Sequence, residues 1–178
     1  LNNLRQLGVS DNLLFRPHGN VANPDTLGEL KPRATTWKVG CFGFLFEHKG
    51  VLELIDAFAA FRQQQPDAQA ELLLINSEHA NDESVRYRAK WQQRLKELEL
   101  EDCTTFKYEF LPEEAVAQYL SQCDVLVMPY RETPESSSGA VRIAVANCQT
   151  VAVTPARIFS EVRDVTLPLA GFNSEHIE

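Results

Sequence analysis

The residues best suited to chemistry lie in two polar segments, each directly after an apolar run. The first, GFLFEHKG (43–50), follows KVGCF and carries Lys49 between Gly43 and Gly50. The second, YRETPESSSG (130–139), follows DVLVMP and carries Glu135 ahead of Ser136, Ser137, Ser138 and Gly139. Small residues opening an apolar helix present unpaired backbone N–H groups and the positive end of the helix dipole, which together suit a phosphate. Lys49, at the start of its own helix, can reach a diphosphate as a point charge. A carboxylate is repelled by phosphate, so Glu135 suits hydrogen bonds from sugar hydroxyls. Plainer readings stand beside these. Serines commonly cap helices, and a single lysine is usually solvated.

The elements that must position these segments alternate along the chain. Apolar runs at 38–42 (KVGCF), 71–76 (ELLLIN), 104–108 (TTFKY), 124–129 (DVLVMP), 150–154 (TVAVT) and 165–169 (VTLPL) read as strands. From Lys49 to Arg62, Val51, Leu54, Ile55, Phe58 and Phe61 recur at helical spacing, and Pro66 stops the run. Residues 84–98, 112–123 and 137–147 read as further helices, and RIFSEV (157–162) as a helical turn. Alternation with near-continuous apolar strands predicts an α/β fold, a doubly wound parallel sheet with helices on both faces. In such a sheet ligands bind beyond the carboxyl ends of the strands, where the strand order reverses. Both polar segments sit at strand ends of this kind. Residues 1–37, with the strand-turn unit NLLFRPHGN (12–20) and the loop-like 23–36, read as a linker entering a domain that spans 38–178.

Bulk properties exclude several classes. The 178 residues fit one domain, with 44% hydrophobic and 24% charged residues. A net charge of −8 opposes non-specific nucleic-acid binding. No apolar run is long enough to span a membrane, and LNNLRQLGVS lacks the apolar core of a signal peptide. Cys41, Cys103, Cys123 and Cys148 show no C-x-x-C spacing, so reduced thiols in a cytoplasmic protein are expected rather than a disulfide framework or a zinc site. Neither a P-loop nor G-x-G-x-x-G is present. His18, His48, His79 and His176 do not cluster in sequence; His48, beside Lys49, is the best placed to touch a phosphate.

In this order and on this fold, the segments resemble the donor-binding C-terminal domain of family 4 (group 1) GT-B glycosyltransferases. Gly43-Phe44-Leu45 followed by Lys49-Gly50 resembles the family's G-R-L-x-x-x-K-G, and Glu135 the first Glu of its E-x7-E motif. SSSGAVRIAVANCQTVAV resembles the helix and strand that follow, and RPHGN (16–20) the interdomain linker. The resemblance implies a Rossmann-like donor domain without its acceptor domain, which would precede it. It implies a hexose transferred with retention from a nucleotide diphosphate sugar to a glycan or lipid-linked acceptor, in polysaccharide or glycoconjugate synthesis. Lys49 and Gly43 would then face the diphosphate and Glu135 the transferred sugar. Ser136, Ser137, Ser138 and Gly139 would face phosphate, and Tyr108, Phe110 and Leu111 the base. No cofactor or metal is expected. A cytoplasmic location is expected, with peripheral membrane association open for the full-length protein. Two positions depart from the family: Phe44 stands where it has Arg, and Ile143 where it has the second Glu. They motivate an alternative, a non-catalytic nucleotide- or sugar-binding module. The fold alone also admits an unrelated Rossmann-type oxidoreductase.

Overall fold

A computed structural model of the chain describes residues 35–177 together with Gln6. Its six strands are β1 (Trp37–Phe44), β2 (Ala70–Ser77), β3 (Thr104–Lys107), β4 (Val125–Met128), β5 (Val151–Val153) and β6 (Leu167–Pro168). They form one sheet of order β3-β2-β1-β4-β5-β6, every pair parallel. The helices are α1 (Val51–Gln64), α2 (Asp82–Glu97), α3 (Glu113–Leu120), α4 (Gly139–Asn147) and α5 (Ser174–Ile177).

The period-2 alternation of the strands divides the core between two faces. Leu72 and Leu74 of β2 and Cys41 of β1 join Leu54, Ile55, Phe58, Tyr87, Trp91 and Leu95 from α1 and α2. Leu73 and Ile75 of β2, with Leu126 and Met128 of β4, join Val116 and Leu120 of α3 and Val141 and Ala144 of α4 on the other face. A sheet covered on both sides needs apolar residues at nearly every strand position, which is why its strands read as continuous apolar runs.

Local chemistry sets the ends of the elements. Asn81 caps α2, its side chain accepting from the Ser84 N–H at 2.9 Å, so this helix begins earlier than the charged run from residue 84 predicts. The helix predicted from residue 137 begins at Gly139, because Ser138 has extended backbone and caps it, its hydroxyl accepting from the Val141 N–H at 3.3 Å. The strand predicted over 165–169 shrinks to Leu167–Pro168, since Arg163–Val165 forms a 3-10 turn before it. RIFSEV yields a 3-10 turn at Arg157–Phe159 that buries Ile158 and Phe159. The strand predicted over 104–108 ends at Lys107. Trp37, placed in the linker by sequence, is the first residue of β1. The rest of the linker reading, NLLFRPHGN included, lies outside the described residues, Gln6, Thr35 and Thr36 apart. All four cysteines are free, and three are buried. None of the described helices is long and apolar enough to cross a membrane.

Candidate functional site

The strand order reverses between β1 and β4, which are neighbours in the sheet. Both polar segments therefore emerge side by side at the carboxyl edge. A backbone bond ties them, the Arg131 N–H donating to the His48 carbonyl at 2.8 Å, and the Thr154 hydroxyl, just after β5, donates to the Tyr130 carbonyl at 2.6 Å. Gly50 makes the tight approach possible. Its φ is 68°, and a Cβ there would overlap the carbonyl oxygen of Pro129. Gly43 (φ 143°) likewise lies close to the Tyr130 hydroxyl, which a Cβ would meet at 3.1 Å.

Between the two loops opens a cavity of about 690 Å³. Lys49 lies at its floor, only 7% exposed, with its ammonium 4.0 Å from the centre of the Tyr130 ring and 3.6 Å from Glu135 Oε2. Burial pulls the Lys49 pKa below the ordinary lysine value, and the facing Glu135 opposes that shift. The Tyr130 phenol is fully buried, which raises its pKa. Its oxygen has no hydrogen bond of normal geometry, although Ser138 lies near enough to ease ionisation slightly. The α4 N-terminus opens on the same space, through Ser138 and Gly139.

Of the residues predicted from sequence, Gly43, Lys49, Phe110, Leu111, Glu135, Ser137, Ser138 and Gly139 line this cavity. Ser136 and Tyr108 are not among its lining residues. Tyr108, just beyond β3, packs at a tilt against Phe106, ring centroids 6.1 Å apart, while the Arg88 guanidinium of α2 sits 4.7 Å from the centre of its ring. The chain turns after it, carrying Phe110 and Leu111 to the cavity. Phe44 and Ile143, the two departures from the family pattern, also line the cavity. So do Ser77 and Tyr130, which sequence reasoning did not assign. Ser77 lies within the polar stretch NSEHANDES (76–84), and Tyr130 opens the segment that carries Glu135, but no spacing marks either as lining. The two arginines nearest Glu135 in sequence are engaged with carboxylates: Arg131 pairs with Glu53 and Glu47, and Arg142 with Glu161.

Residues 36–167 match the family described as "Glycosyl transferases group 1". The chain belongs to that family. Solved structures place this group 1 chain among Rossmann-like domains of GT-B architecture. Sucrose-phosphate synthase from Thermosynechococcus elongatus aligns at 21% identity and TM-score 0.66, over 87% of this chain and 37% of that one. The C-terminal domain of a group 1 glycosyl transferase from Francisella tularensis aligns at 18% and 0.63, over 79% and 71%. Anabaena HepE, solved with UDP and glucose, aligns at 21% and 0.65, over 80% and 36%. The group 1 chain thus spans little more than a third of the synthase and of HepE. No curated protein sequence matches it.

Proposed function

We propose that this group 1 domain binds the nucleotide diphosphate sugar from which a hexose is transferred, with retention, to a glycan or lipid-linked acceptor. The observation that carries this reading is the cavity at the reversal point, with Lys49 facing Glu135 beside the α4 N-terminus. A phosphate there meets one buried ammonium and free helix N–H groups, and Glu135 accepts from sugar hydroxyls. Phe110 and Leu111 supply an apolar surface for the base. The chemistry needs neither metal nor further cofactor in this reading. The acceptor domain is a separate part of the protein, which works at the cytoplasmic side in polysaccharide or glycoconjugate synthesis.

Calorimetric titration with UDP-, GDP- and ADP-sugars tests it. One of them binds, and Lys49→Ala or Glu135→Ala weakens that binding about 10- to 100-fold, the scale of a lost charge-assisted hydrogen bond. A folded protein that binds none of the three sinks the proposal. Phe44 and Ile143 favour a second reading, a non-catalytic binding module, because both set apolar side chains in the cavity wall. That reading predicts donor binding but no transfer or donor hydrolysis by the full-length protein.

A further inference from the structure

One carboxylate in the cavity is straddled by two nitrogens from adjacent residues. Glu135 Oε2 lies 3.6 Å from Lys49 Nζ, and Oε1 lies 3.8 Å from His48 Nε2. The His48 ring is held in this pose. It stacks on Phe46 at 5.6 Å and 13°, and the His48 carbonyl is fixed by the Arg131 N–H. Nε2 is shielded from solvent and makes no hydrogen bond. Both contacts to Glu135 are longer than hydrogen bonds, so charge rather than fixed geometry holds the carboxylate there. A phosphate brings more charge and more oxygens than a carboxylate.

We propose that Lys49 and His48 form a phosphate clamp in which Lys49 alone carries charge in the empty site, with Glu135 as its counter-ion, and that a ligand phosphate takes over this clamp and draws a proton from solvent onto His48. Among the described residues that line the cavity, Lys49 is the one cation; His48 is not a lining residue, and its Nε2 faces the Glu135 carboxylate, so a phosphate reaches it by displacing that carboxylate. The charged groups facing His48 come from three elements. Lys49 lies in the same turn, Glu135 in the loop after β4, and Glu83 in the first turn of α2. His79, before α2, packs at a tilt against the same Phe46 ring, centroids 5.5 Å apart. Burial and Lys49 lower the His48 pKa from its usual value, against the pull of Glu135 and Glu83. The imidazole is therefore mostly neutral in the empty site near neutral pH. An anion added a few ångströms away favours the imidazolium, so binding takes up a proton and strengthens as pH falls.

The physiological ligand rests on the donor reading above, but the clamp is tested separately. Sulfate, which does not titrate in this range, serves as the anion alone, and UDP-glucose as a diphosphate ester with no phosphate group titrating near neutrality. His48 ring resonances, assigned with His48→Gln, are followed by NMR against pH at matched ionic strength. Either probe raises the His48 pKa by about 0.5 or more. UDP-glucose affinity rises about three- to tenfold from pH 7.5 to 5.5, with proton uptake seen as buffer-dependent calorimetric heat. In His48→Gln the affinity is flat with pH and no proton is taken up. If UDP-glucose fails to bind yet sulfate moves His48, the clamp stands and the choice of donor falls. If neither probe moves the His48 pKa, or if proton uptake persists in His48→Gln, the clamp is overturned.

Discussion

Lys49 illustrates how a residue proposed to bind ligand is held at a cost. Its pKa is depressed, so the charged form is disfavoured in the folded state relative to the unfolded one. For a lysine the sign follows directly. The penalty is fully present below the folded pKa and fades as pH rises through it towards the unfolded value. Lys49→Met therefore raises the urea midpoint at pH 7, and the gain shrinks as pH approaches 10. Glu135, half exposed, keeps its hydration when Lys49 is removed. The same variant loses nucleotide-sugar affinity about tenfold or more, as a lost charged contact requires. A midpoint that falls at pH 7 would show that Lys49 serves the fold rather than the cavity. Legibility at this scale was uneven. Lys49 and Glu135 stood out because each lies in a polar segment that follows an apolar strand. Tyr108 was expected beside the base with Phe110 and Leu111; its ring packs against Phe106 and under the Arg88 guanidinium, and it is not among the cavity's lining residues.

Element ends carry the next layer. Gly50 is the N-cap of α1, and its left-handed backbone lets the β1 loop press on Pro129. Gly50→Ala adds conformational strain and a steric overlap with main chain, a loss of about 2 kcal/mol or more. Urea unfolding measures it, and a loss below about 0.5 kcal/mol would mean that the two loops part without cost. α4 depends on Ser138 in a different way. Ser138→Ala removes the cap and costs about 1 kcal/mol in the same assay. It leaves the backbone N–H groups that face the cavity, so phosphate affinity changes less than twofold. A larger affinity loss would assign the hydroxyl itself to the ligand. The apolar periodicity of 49–62 was enough to locate α1 from sequence. The start of α4 was not legible to the residue, since three consecutive serines offer three possible caps and packing selects one.

At the scale of the whole molecule, this group 1 chain spans 37% of the sucrose-phosphate synthase it resembles. We expect the isolated chain to bind donor without transferring or hydrolysing its sugar, because closure of a second domain excludes water and completes the site. Product chromatography after overnight incubation with the bound donor checks this. Measurable turnover by residues 1–178 alone would overturn it.

The succession of apolar runs and helical periods determined by itself that the chain is a two-faced parallel α/β sheet, because a buried strand and an amphipathic helix leave different periods in the sequence. The order of short motifs also carried the family. The tertiary structure alone decided which residues meet. Strand order 3-2-1-4-5-6 brings the ends of β1 and β4 together, and with them Lys49 and Glu135, which are far apart along the chain. It turned Arg131 and Arg142 to carboxylates outside the cavity, and it set His48 against Glu135. Such pairings depend on sheet order and loop geometry, and periodicity within one segment holds no record of either.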